Sequence, residues 1–281
     1  MTRHAKRLGA CSWSLKANGP KELAQRVRQV GVANVQLALD PLRTGAWSVD
    51  ETVAACASAG LSIRSGMMGM QGEDYGSLDS IKATGGVRPT EHWNANLAAA
   101  RANAKLAARL GLRLVTFHAG FLPHEASDPE RKVLIERLRA LVDVFASEGA
   151  VVGFETGQES ARTLLDVLAE LDRPTAGVNF DPANMLLYDM GDPVAALKLL
   201  APRVKQIHVK DAVRTKQRGT WGAEVCVGTG EVDWRALFAA AAESKLDVDF
   251  MIEREAGDDR IGDMRKAREL VERELASGAA R

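Results

Sequence analysis

Short apolar runs, rich in β-branched residues, recur along this chain, and a stretch of helix length follows each one. The runs lie at 7–15, 32–39, 61–68, 112–119, 150–155, 177–180, 204–209 and 248–253. Apolar runs bounded by turn residues and spaced by one helix read as buried parallel strands of βαβ units. Helices are predicted at 20–31, 48–60, 90–111, 128–149, 159–171, 193–200, 232–244 and 259–275. Pro20 suits a first helical position and Gly31 a stop. Ser48 with Glu51 three residues on reads as a capping box, and Gly60 ends that helix. Eight strand–helix alternations without a break in composition predict one domain over 1–281, an α/β protein built as a single (β/α)8 TIM barrel. Two stretches, 69–89 and 212–230, lack periodicity. Loops this long in a compact domain are lids or disordered segments, and the aromatic and charged content of the first favours a lid. The tail, 277–281, is expected to fray.

Composition narrows the partners. The 37 basic and 37 acidic side chains cancel, which argues against dependence on a nucleic-acid backbone. Cys11, Cys56 and Cys226 are far apart and odd in number, so they read as reduced thiols of a cytoplasmic protein. Arg3, Lys6 and Arg7 are basic, but 8–15 is too polar and too short for a signal-peptide core. No apolar run approaches the roughly 20 residues that span a bilayer.

Candidate chemistry sits at strand ends. Glu155, Asp181, His208 and Glu253 close four successive strands, at intervals of 26, 27 and 45 residues. The C-terminal strand ends of such a barrel carry its chemistry, and side chains from that arc can converge on one ion. Taken singly, Asp181 would cap a turn and His208 would be a satisfied core histidine; four on consecutive strands point to a metal. Three carboxylates and one imidazole suit Mn²⁺ or Mg²⁺, with Co²⁺ and Zn²⁺ as alternatives. Lys210 follows His208 at the same strand parity, and His118 ends strand four, so both are candidate substrate contacts. Lys210 could instead pair with Asp211 at the surface. Trp13, Met67, Met68 and Trp221 are candidate pocket walls. Gly228 and Gly230 read as a simple turn in preference to a phosphate cradle.

These residues carry a family resemblance. The pieces FET, NFDPAN, HVKD, GTGEVDW and IERE, spread over nearly the whole chain, resemble the sugar phosphate isomerase/epimerase group of the xylose isomerase-like TIM barrels. That group includes ketose 3-epimerases, hydroxypyruvate isomerases and inosose dehydratases. The resemblance implies that Glu155 and Glu253 are both metal ligands and the acid/base pair, with proton transfer through an enediolate. It also implies an arginine near substrate oxygens, here Arg214, and a dimer or tetramer. Asn184 stands where several epimerases carry a substrate-contacting histidine, and Gln36 where many relatives have glutamate. The leading expectation is a metal-dependent isomerase or epimerase of a small ketose or keto-sugar. The alternative is a lyase or dehydratase acting on an inosose or 3-keto-glycoside. An apurinic-site endonuclease is disfavoured by the five histidines and zero net charge. A non-catalytic sugar-binding module is disfavoured by the intact four-residue set.

Overall fold

A computed structural model describes residues 7–217 and 219–278. β1 (Leu8–Cys11) is followed by α1 (Pro20–Val30), β2 (Asn34–Ala38), the short α2 (Asp40–Arg43), α3 (Val49–Ser58) and β3 (Ser62–Met67). Next come α4 (Leu78–Thr84), α5 (Thr90–Arg109), β4 (Leu114–Phe117), α6 (Pro129–Ser147), β5 (Val151–Glu155), α7 (Ala161–Leu171) and β6 (Ala176–Phe180). α8 (Pro182–Leu187), α9 (Pro193–Leu200) and β7 (Val204–Val209) precede a hairpin of β8 (Asp211–Val213) and β9 (Ala223–Val225). α10 (Trp234–Glu243), β10 (Asp249–Ile252) and α11 (Arg260–Gly278) complete the order. Eight strands close in the sequence β1-β10-β7-β6-β5-β4-β3-β2. Neighbours pair in parallel throughout. The barrel expected from the alternation is the fold.

The alternation also assigns the two faces of the sheet. Val115, Phe117, Val152, Phe154, Val178, Phe180 and Ile207 are fully buried on the outer face. There Phe117 meets Phe145 of α6 at 6.4 Å between ring centroids, and Phe250 meets Phe238 of α10 at 5.4 Å. The inner face is unusual. Barrel interiors are commonly filled by branched aliphatics, but here Gln36, Ser65, Thr116, Asn179 and Gln206 are each at most 1% exposed. Buried amides are costly unless hydrogen-bonded, and these bond one another across the barrel. Register shifts at Val35/Gln36 and Val178/Asn179 mark where two of them enter.

The segments at 69–89 and 212–230 are more ordered than expected. The first contains α4, opened by a reciprocal Ser77–Ser80 capping box. It is tied down where Glu73 accepts the Gly86 N–H at 2.9 Å and Arg137 donates to the carbonyls of Val87 and Arg88. Gly86 has φ +62°, and a Cβ there would run into the Ala119 carbonyl. The second contains the β8–β9 hairpin and a turn built around Asp211. The Asp211 carboxylate accepts from the amides of Gly228, Gly230 and Val232 and from the Trp234 indole. The glycine pair is therefore a turn, with its amides bound within the chain. Ser48 caps α3 by accepting the Glu51 N–H. The last helix reaches Gly278, past the point where fraying was expected; residues 279–281, like Arg3 and Lys6, lie outside the described residues.

Candidate active site

β5, β6, β7 and β10 are consecutive in the barrel, and their ends bring Glu155, Asp181, His208 and Glu253 together. One donor atom from each lies within 4.8 Å of every other, and all four residues are buried. His208 Nδ1 is 3.3 Å from Glu253 Oε2, 3.4 Å from Glu155 Oε1 and 3.8 Å from Asp181 Oδ2.

Each side chain is held from behind. Glu155 accepts from Asn184 Nδ2 at 3.0 Å and Asn179 Nδ2 at 3.2 Å. Glu253 Oε1 accepts from the Trp13 indole at 2.6 Å. Asp181 Oδ1 caps α8 by accepting the amides of Ala183 and Asn184. The capping role weighed against a metal role thus uses one oxygen and leaves the other. Asp181 Oδ2 and His208 Nδ1 are buried with no hydrogen-bond partner, and Glu253 Oε2 faces Lys210 Nζ across 3.1 Å without hydrogen-bond geometry. Unpartnered acceptors of this kind are rare in folded proteins, and these converge on one point. The donor set fits a hard divalent cation coordinated by carboxylate oxygens and one imidazole.

Electrostatics agree with that geometry. Burial opposes charge on Glu253, yet Lys210 and His208 outweigh it and hold its carboxyl well below the usual carboxylate range. Burial likewise opposes charge on Glu155, and His118 and His208 keep its value lowered. Asp181 is pushed up to about 6 by burial, which Lys210 only partly offsets. Burial also opposes charge on His208, but Glu155 leads the neighbouring groups that hold it well above the ordinary histidine range. Without a cation, a proton on His208 neutralises part of the excess negative charge.

A cavity of about 280 Å³ opens beside this cluster, just below the roughly 300–1,000 Å³ typical of ligand clefts. Lys210, Asn184 and His118 line it on the cluster side; Tyr75, Tyr188 and Trp221 form an aromatic wall, and Glu224 and Glu255 stand at its edge. Lys210 is buried and lies 2.5 Å from Glu255, 3.1 Å from Glu253 and 3.4 Å from Asn184 Oδ1. Its partners are carboxylates of the site, in place of the surface pairing with Asp211. His118 Nε2 is 3.8 Å from Glu155, and its Nδ1 is buried without a partner. The Trp13 ring sits 6.1 Å from His208.

Arg214 is placed elsewhere. It donates to the Gly191 carbonyl at 3.0 Å, stands near Asp189 and Glu231, and is absent from the cavity lining. The hairpin after β7 turns it outward. Trp13, Met67 and Met68 do not line the cavity either, whereas Trp221 does. Sequence reasoning passed over Asn179, Gln206 and Glu255. Asn179 and Gln206 each lie two residues before a chosen residue and share the inner face of its strand, which was the signal available; Glu255 lies past the end of β10, where no alternation pointed to it. Tyr75 and Tyr188 belong to a strap and to the end of α8, where no periodicity pointed to them.

The xylose isomerase-like TIM barrel family model matches residues 24–274 of the chain. A xylose isomerase domain protein from Planctomyces limnophilus superimposes with a TM-score of 0.89 and 31% identity, covering 98% of this chain and 99% of that one. A xylose isomerase-like TIM barrel protein from Mycobacterium smegmatis in complex with magnesium shares the fold at a TM-score of 0.74 and 19% identity, over 98% of this chain and 99% of that one. The 3-oxo-isoapionate decarboxylase of Pectobacterium atrosepticum is 26% identical over 168 residues, 58% of this chain. The chain thus spans little more than half, 57%, of that relative's length. With the barrel and the matched span taken together, the chain belongs to the xylose isomerase-like TIM barrel family.

Proposed function

We propose that this protein is a divalent-metal-dependent isomerase or epimerase of a small ketose or keto-sugar. The observation that carries the reading is the convergence of Glu155, Asp181, His208 and Glu253 on unpartnered acceptor atoms beside a polar and aromatic cavity. Those four residues would hold Mn²⁺ or Mg²⁺. A bound divalent cation supplies Lewis acidity, which makes the C–H beside a carbonyl easier to deprotonate.

The chain's own groups then have distinct tasks. Glu253, kept ionised and fixed by Trp13 and Lys210, removes the proton next to the carbonyl. Glu155 lies at the far end of the same arc of strands and is oriented by two amides; it exchanges a proton on the other side of the substrate. The Lys210 ammonium offsets negative charge that develops on substrate oxygens. His118, with an unpartnered ring nitrogen at the cavity, is placed to hydrogen-bond a substrate hydroxyl. Tyr75, Tyr188 and Trp221 cover the apolar face of the sugar and limit water. Placement within hydrogen-bond reach, more than a raised pKa, makes Glu253 a competent base.

A lyase reading has support of its own: one relative is a decarboxylase, and loss of carbon dioxide beside a carbonyl leaves the kind of enolate that proton abstraction also gives and from which a β-leaving group is expelled. One experiment separates the two. Mg²⁺-loaded protein in D₂O, offered ketoses, inososes and 3-keto-glycosides, is followed by NMR. Deuterium next to the carbonyl in an epimerised or isomerised product supports the proposal; deuterium accompanied by loss of water or aglycone makes the protein a lyase. Glu253→Gln should lower exchange at least about 10²-fold, the lower range for removing a general base, with the fold retained. Full exchange in that variant removes Glu253 from the chemistry.

A further inference from the structure

The amide belt inside the barrel determines which nitrogen of His208 faces the carboxylates. The logic starts at Glu155, whose ionised oxygens only accept. Asn179 Nδ2 lies 3.2 Å from Glu155 Oε2, so the Asn179 amide presents its nitrogen there and its oxygen to Gln206. Gln206 Nε2 donates to that oxygen at 3.0 Å and to Gln36 Oε1 at 2.8 Å. Gln36 is thereby oriented with its nitrogen on Thr116 Oγ1, 2.7 Å away. Gln36 Oε1 is also 2.7 Å from His208 Nε2. An amide oxygen only accepts, so Nε2 carries the hydrogen. Asn179 Nδ2 stands 3.0 Å from the same nitrogen, with one of its two hydrogens on Glu155; Gln36 Oε1 is the nearer group at 2.7 Å, and an amide oxygen cannot donate. The lone pair of the neutral ring is then on Nδ1, which faces three carboxylates and has no hydrogen-bond partner.

We propose that Gln36 is a positioning residue of the metal centre, fixing His208 in the Nε2–H form so that Nδ1 is the ligand atom. The inference rests on the metal reading above. A ligand histidine generally donates its second N–H to an acceptor behind it, and loss of such an acceptor weakens metal binding about 10–100-fold. Here the acceptor is an uncharged amide locked by residues of β4, β6 and β7. It orients the ring without placing a fourth carboxylate beside Glu155, Asp181 and Glu253.

The test uses the full chain labelled with ¹⁵N-histidine. In the Mg²⁺-loaded wild type, the His208 nitrogen shifts should report a protonated Nε2 and a bare, cation-facing Nδ1. Gln36→Met keeps the length of the side chain and removes the acceptor; it should bind Mn²⁺ about 10–100-fold more weakly in competition with a chelator. Gln36→Glu retains an acceptor and should keep both the Nε2–H form and tight binding. A wild-type His208 protonated on Nδ1 overturns the proposal and requires no variant, which covers the case of a Met variant that does not fold. A folded Met variant with wild-type affinity also overturns it while leaving the metal centre intact. A wild type that binds neither cation removes the metal reading and this inference together.

Discussion

Glu159 shows how much one buried carboxyl can govern without touching the site. It is 2% exposed, and no hydrogen bond or ion pair reaches its carboxyl among the described residues. Burial alone pushes it up to about 8. The folded protein therefore binds this proton more tightly than the unfolded chain does. The stability it contributes is complete below the ordinary carboxylate range and is lost as the pH rises toward 8. At about 1.4 kcal/mol per pH unit the loss has an upper limit of about 5 kcal/mol. Wild-type melting temperature should fall between pH 5 and pH 8 more steeply than that of Glu159→Gln, and parallel curves for the two proteins would show that the carboxyl is solvated. The ionisable groups of the cluster behave differently, since each is set by a neighbour's charge as well as by burial. The convergence of Glu155, Asp181, His208 and Glu253 was legible because these residues are chemically conspicuous at strand ends. Of the amides that orient them, Gln36 and Asn184 stand out only as departures from the family pattern, and Asn179 and Gln206 are singled out by strand parity alone.

At the scale of elements, strands were the most legible part of the chain. Val–Val–Gly–Phe–Glu before a helix reads as a strand with a functional end, and β5 is Val151–Glu155. Short elements were not legible. α8 has six residues and α4 seven, below the length at which helical periodicity can be told from a short apolar run. Each arm of the β8–β9 hairpin has three residues, too few to show alternation. The Asp–Pro start of α8 reads as a candidate turn cap, and Asp181 caps a six-residue helix there. These short pieces position the cavity wall, with Tyr188 closing α8 and Tyr75 standing on the strap before α4. Trimming 72–85 removes Tyr75 and α4 together. It should raise KM or lower kcat for whichever substrate the deuterium experiment identifies, while the barrel melts near the wild-type temperature. Unchanged kinetics would make the strap a passive excursion.

For the molecule as a whole, the barrel separates two jobs. The outer face of the sheet packs aromatic and aliphatic side chains against the helices and secures the fold. The inner face forgoes an aliphatic filling and carries a hydrogen-bonded polar belt that supports the strand-end cluster. No helix among the described residues is long and apolar enough to cross a membrane, and all three cysteines are free. Arg214 illustrates the limit of reading by resemblance: the motif position is present, but the local hairpin sends the side chain to Gly191 and Glu231. Metal-stripped protein titrated with Mn²⁺ in a calorimeter should take up one equivalent and melt at a higher temperature when loaded. Asp181→Asn, which retains an oxygen to cap α8, should lose at least about tenfold in affinity. Absence of binding in the wild type, or equal binding in Asp181→Asn, would contradict a metal centre built from these four residues.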